Sequence, residues 1–210
     1  MSAQFEAAAW IPCPNSPEEH QAGLDAVERW IRQQEQRTGV RSVLLTDTFG
    51  VDADVAAIGP YHRGSTYFSA RRGGPRTRGP VLVFRPTRKL LTVAQRMALT
   101  AICVWELVPP VLGWAGQVLA VNLSTGQTTV PNPALADPLG RLVWAGNNGY
   151  HDEPGRRDAR RLLGEMDDQG LLDQDIPSAL IAHGLSTAAV DNIDKFIDSL
   201  TNRVSTVAPH

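Results

Sequence analysis

The side chains best suited to chemistry crowd the middle of the chain. Between Val55 and Trp105 there is no Asp or Glu, while Arg63, Arg71, Arg72, Arg76, Arg78, Arg85, Arg88, Lys89 and Arg96 supply nine positive charges. The flanking stretches are acidic, at −5 over 1–54, −1 over 106–151 and −5 over 152–210, leaving −2 for the whole chain. Charge segregated in this way produces a local positive field that concentrates anions. Aromatic rings are interleaved with the arginines: Tyr61, Tyr67 and Phe68. Guanidinium groups neutralise phosphate while rings stack on bases, the combination found in single-stranded nucleic-acid and nucleotide sites. The residues expected to dock an anion or nucleic acid are therefore Tyr61, Arg63, Tyr67, Arg71, Arg72, Arg76, Arg78, Arg88 and Lys89. The same charges are also accounted for by solvated surface, or by pairing with this protein's own acidic ends.

A second constellation comes from where strands should end. Parallel sheets bind ligands beyond the carboxyl ends of their strands, and the residues at those ends here are Asp47, Arg85 and Glu106, with His151 as a further candidate. They form the alternative site, a small-molecule pocket. No catalytic set emerges. There is no Gly-x-x-x-x-Gly-Lys-Ser/Thr loop, no Gly-x-Gly-x-x-Gly after a strand and no Gly-x-Ser-x-Gly elbow. Cys13 and Cys103 have no second Cys or His at metal-ligand spacing, so no metal and no cofactor are expected. His151, Asp152 and Glu153 are consecutive and precede a helical pattern, where acidic residues stabilise the positive helix end more often than they ligate a metal. Residues 176–183 and 187–200 have helix-turn-helix spacing, but the second segment carries Asp191, Asp194 and Asp198 against only Lys195, a face that phosphates repel.

The elements that must position these residues follow from periodicity. Ser16-Pro17-Glu18-Glu19 offers a cap, a proline at the first helical position and a capping-box Glu, and Leu24, Val27, Trp30 and Ile31 follow at helical spacing up to Gly39. Aliphatic runs over 40–46, 66–70, 81–85 and 101–107 predict strands. Helices are expected over 52–58 and 90–99, and 71–80 (RRGGPRTRGP) is a basic loop. Strand 81–85, helix 90–99 and strand 101–107 make the minimal parallel crossover unit. A further helix opens at Pro109-Pro110, a hairpin with glycine in its turn spans 121–130, and the three prolines of 131–138 form a connector. Helices then fill 139–145, 154–168, 176–183 and 187–200.

The order helix, three strands, helix, strand is also the core order of the restriction-endonuclease-like nucleases. Their metal-dependent chemistry needs carboxylates near the second and third strands, and none lies between Asp54 and Glu106. The resemblance stops at topology.

The sequence thus predicts an α/β fold with a mixed, largely parallel sheet flanked by helices and a small C-terminal helical subdomain. The expected boundaries are an irregular leader at 1–15, an α/β domain at 16–130, a helical subdomain at 138–200 and a tail at 201–210. With 210 residues, 42% of them hydrophobic, a sizeable core is available, and no apolar run reaches the ~18–20 residues that span a bilayer. Met1–Trp10 has no basic n-region, so a cytoplasmic protein without membrane association is expected. The leading function is a non-catalytic binding or regulatory protein whose segment 55–105 docks a polyanion, nucleotide or acidic protein partner. The alternatives are an enzyme or small-molecule binder using the strand-end pocket, and an assembly protein that forms homo-oligomers through complementary charge.

Overall fold

The computed structural model describes residues 5–47, 66–69, 71, 74–106 and 111–205. Tyr61, Arg63, Arg72 and the helix expected over 52–58 lie outside the described residues. The chain forms two compact units, Met1–Pro110 with Val118–Val130, and Val111–Gln117 with Pro131–His210.

The first unit is an α/β sandwich around one sheet. Its strands are β1 (Ala7–Ile11), β2 (Val43–Leu45), β3 (Thr66–Phe68), β4 (Val81–Phe84), β5 (Ala101–Trp105) and β6 (Val121–Asn122). They lie in the order β3-β2-β4-β5-β1-β6, and every pairing between them is parallel. The α/β class therefore holds, with a sheet more uniform than the mixed one expected. Beyond Val121 the hairpin reduces to an isolated antiparallel bridge between Val121 and Thr128.

The leader is corrected most. Residues 7–11 are not irregular but form β1, seated between β5 and β6 and buried from Ala8 onward. Three alanines carry weak strand propensity; the segment is a strand because β5 offers it a full register, Ala7 against Ala101 through Ile11 against Trp105.

Strand alternation sorts the core into two faces. On one, Ala9, Ile11, Leu44, Leu82, Phe84, Cys103 and Trp105 pack with Leu24, Val27 and Ile31 of α1 (Pro17–Thr38). Ser16 caps α1 by accepting from the Glu19 amide at 3.2 Å, and Gly39 ends it at φ 68°, the left-handed C-cap that glycine adopts without cost. The intervening residues, such as Val43, Val81, Val83, Ile102 and Val104, are buried on the other face. Helix α2 (Arg88–Met97) contributes Leu90, Leu91, Ala94 and Met97 there. Opposite faces are what right-handed crossovers require, because β1-α1-β2 steps one way along the sheet and β4-α2-β5 the other.

The second unit is helical: α3 (Leu112–Gln117), α4 (Ala136–Ala145) after a single 3-10 turn (Pro133–Leu135), α5 (Glu153–Asp168), α6 (Ile176–Ala182) and α7 (Thr187–Ser205). It therefore gains 111–117 from the middle of the chain, and α7 runs beyond the expected limit at 200. Gly113 approaches α6 so closely that a Cβ would collide with the Asp175 carbonyl. The Gly113 and Trp114 amides donate to Asp175 Oδ2 at 3.1 Å and Ser178 Oγ at 2.8 Å. Tyr150, buried at φ 61°, donates its hydroxyl to the Leu142 carbonyl at 2.7 Å. Asp152 accepts from the Gly155 amide at 2.9 Å and caps α5, so the His151-Asp152-Glu153 run starts a helix. Among the described residues, no helix is long and apolar enough to cross a membrane.

Candidate functional site

A parallel sheet has two chemically different edges, and the basic middle of the chain is divided between them. Arg76 and Arg78 lie at the amino edge. The Thr77 amide donates to the Met97 carbonyl at 2.9 Å, Leu99 returns a bond to the Thr77 carbonyl at 3.0 Å, and Thr100 Oγ1 donates to the Arg78 carbonyl at 2.7 Å. Pro80 then leads directly into β4, with its carbonyl accepting from Val43. Both arginines are exposed. Arg85, Arg88 and Lys89 instead follow the carboxyl end of β4, and Arg71, also exposed, comes three residues after β3. At ~3.3 Å per residue the four residues of β4 separate the two sets by roughly 13 Å. The expected single docking surface of Arg71, Arg76, Arg78, Arg88 and Lys89 is therefore not one patch.

The carboxyl edge brings three of the four pocket candidates into one row. Asp47, two residues beyond β2, accepts from Thr87 Oγ1 at 2.7 Å, and Thr87 in turn caps α2 by accepting from the Leu90 amide at 3.1 Å. Arg85 directly follows β4, its amide donating to the Trp105 carbonyl at 3.1 Å and its guanidinium lying 5.3 Å from the Phe84 ring centre. Glu106 directly follows β5; its amide donates to the Ile11 carbonyl at 2.9 Å and its Oε2 accepts from the Cys13 amide at 3.2 Å. The two carboxylates thus hold loops in place, Asp47 the entry to α2 and Glu106 the exit from β1. His151 belongs to the helical unit.

The sheet's winding reverses within this row. After β2 the chain moves outward to β3, and after β4 it moves the opposite way through α2 to β5. Adjacent connections diverging in this manner open a crevice at the carboxyl edge. Arg85 stands at this reversal with φ 53°, one of three non-glycine residues in the left-handed region among those described. Arg88 and Lys89 occupy the first turn of α2, which contains no acidic residue. Cations there oppose the helix dipole.

Two strands away, a cleft of about 510 Å³ runs along α1 beyond β1 and β6. Ile11 and Leu123 supply apolar surface, and Asn15, Glu19, Arg29 and Ser124 supply polar groups. Glu19 accepts from the Asn15 amide at 2.7 Å, while Arg29 is exposed and makes no ion pair among the described residues. Cys13, exposed, borders the cleft, whereas burial pushes the Cys103 thiol far above its ordinary range. Sequence reasoning missed this cleft because its walls come from residues 11–29 and 123–124, which only the β1–β6 pairing brings together. The available signal was Pro12-Cys13-Pro14-Asn15, a non-helical run between an apolar segment and a capped helix. Among the described residues no three His, Cys, Asp or Glu side chains gather so as to hold a metal ion.

No protein-family model, curated protein or solved structure matches this chain.

Proposed function

We propose that the protein binds a phosphate-bearing small molecule of about nucleotide size along the carboxyl edge of its sheet. The observation that carries this is the reversal of winding between β2 and β4, with Arg85, Arg88 and Lys89 at the break. Ligands of open α/β sheets lie at such points, and the positive end of a helix favours anions. The left-handed Arg85 supports it further, since strained residues persist where the surroundings hold them and gather at functional sites. From the end of β4 to the end of β1 is two strand spacings, about 10 Å. The cleft beside Ile11 and Asn15 lies on the α1 face, opposite α2, so a ligand held by Arg88 and Lys89 reaches it by crossing over the carboxyl edge of the sheet and must be longer than that in-plane spacing. Arg85, Arg88 and Lys89 take the phosphate, and the cleft takes the remainder. Binding rather than catalysis is proposed, because Asp47 and Glu106, the carboxylates of the row, are engaged in holding loops.

The test compares the two edges. Calorimetric titration with mononucleotides and inorganic phosphate, beside fluorescence anisotropy with short single-stranded oligonucleotides, is run on three chains. Arg88→Glu with Lys89→Glu is expected to weaken mononucleotide binding at least tenfold, on the order of two charge-assisted hydrogen bonds. Arg76→Glu with Arg78→Glu is expected to leave it within about twofold, being distant from the site. Loss of mononucleotide binding through Arg76 and Arg78 alone would return the site to the basic loop. Absence of any phosphate-ligand binding would end the proposal.

A further inference from the structure

In the helical unit, Trp144 on α4 is 81% exposed, whereas the Trp114 of the same unit is fully buried. Beside it lies a groove of about 330 Å³ between α4 and α5, bordered by Ala136, Gly140, Arg141, Trp144, Arg161 and Leu162. A large exposed ring next to an open groove is a knob and a hole on one patch, which is what a two-fold interface between identical chains needs. The spacing along α4 fits. Gly140 lies midway between Ala136 and Trp144, and a Cβ built on it meets nothing within 4 Å, so the backbone there is open to close approach. With a two-fold axis at Gly140 and two copies of α4 antiparallel, Trp144 of each copy falls opposite Ala136 of the other, about 6 Å from the axis.

The charges are complementary to themselves in the same arrangement. Asp137 and Arg141 alternate on α4, and Asp158 and Arg161 on α5. Within one chain Arg141 approaches Asp137 at 3.9 Å and Glu165 at 3.2 Å, and Arg161 approaches Glu165 at 2.5 Å and Asp158 at 3.9 Å. Across the axis, Arg141 of one copy comes within about 3 Å along the helix of Asp137 of the other. The patch therefore meets its own copy with opposite signs in register, whereas a uniformly charged partner would be repelled by half of it.

We infer that α4 mediates self-association of this protein, with Trp144 seated in the partner's groove and Asp137–Arg141 pairs reaching across the axis. This rests on the helical unit alone and is independent of the ligand proposed for the sheet. A patch confined to one helix pair is small, so the dimer is weak and forms at tens of micromolar or above.

Sedimentation velocity from about 10 to about 300 µM, the range such an interface spans, tests it. The wild-type chain is expected to shift from monomer to dimer. Trp144→Ala is expected to weaken association about thirtyfold, as for a central tryptophan anchor, with an unchanged far-ultraviolet spectrum because the ring is exposed. Asp137→Arg and Arg141→Asp are each expected to weaken it. A chain monomeric throughout overturns the inference, as does a dimer that survives Trp144→Ala.

Discussion

Arg85 shows how one side chain can be held in an unfavourable backbone state by its surroundings. Its amide is tied to β5 and its guanidinium lies over the Phe84 ring, so the turn out of β4 is set on both sides. An L-residue in the left-handed region costs about 1–2 kcal/mol relative to the right-handed one, and glycine escapes most of that. Two substitutions separate backbone from side chain. Arg85→Ala removes the guanidinium but keeps the strain, while Arg85→Gly removes both. Urea denaturation is expected to find Arg85→Gly more stable than Arg85→Ala by about 1 kcal/mol, the balance of relieved strain against greater unfolded-chain entropy. Equal stabilities would mean that the turn relaxes when the side chain leaves. In either variant the proposed phosphate loses Arg85, so stability and ligand affinity change independently.

At the scale of elements, α3 and α6 show how buried polar groups make a helix contact specific. Gly113 and Trp114 donate to Asp175 and Ser178, and His183 Nε2 lies 3.2 Å from Gln117 Oε1 at the other end of the pair. Burial lowers the His183 pKa from its ordinary 6.5, because desolvation disfavours the imidazolium. The unfolded chain therefore binds the proton more readily than the folded one between the two pKa values. His183 contributes stability that is present above pH 6.5 and is lost as pH falls toward the folded pKa. Thermal melts at pH 7.5 and 5.5, on either side of the unfolded value, are expected to show the acidic sample less stable. His183→Gln should narrow the difference; an unchanged difference would assign it to other groups.

The same scale explains what was legible in the sequence. Elements fixed by local chemistry were read nearly to their ends: α1 from Ser16-Pro17 to Gly39, and the β4-α2-β5 crossover from its apolar runs. The reciprocal arm of the capping box differs in detail, since Glu19 reaches the Asn15 amide rather than that of Ser16. Elements fixed by distant partners were not read. β1 is a strand because of β5, some ninety residues later, and α3 joins the helical unit through Asp175 and Ser178, more than sixty residues away. Of the candidate site, Asp47, Arg85 and Glu106 were found because strand ends are readable. The cleft along α1, hinted at only by Pro12-Cys13-Pro14-Asn15, and the division of the arginines between two edges depend on the strand order.

On the scale of the whole molecule, sequence-level charge and spatial charge differ. A run of nine cations uninterrupted by any acid reads as one basic surface, yet a parallel sheet sends alternate connections to opposite edges, and the run passes both. Of its described members, Arg76 and Arg78 are exposed at the amino edge, while Arg85, Arg88 and Lys89 stand at the carboxyl edge. Salt dependence distinguishes a divided surface from a continuous one. Each phosphate neutralised on a single strand contributes about −0.7 to the slope of log K against log salt. An oligonucleotide meeting the two amino-edge arginines should therefore show a slope near −1.4, and one meeting all nine cations a slope near −6. Anisotropy titrations with a single-stranded oligonucleotide between about 50 and about 200 mM salt resolve that difference easily, since the steeper slope is a loss of several thousandfold in affinity and the shallower one of less than tenfold. The shallow slope is expected. A mononucleotide held by Arg88 and Lys89 should show a similarly shallow one, abolished by Arg88→Glu with Lys89→Glu and not by the amino-edge pair, because the sheet keeps the two sets of charge apart beyond a Debye length of about 8–10 Å.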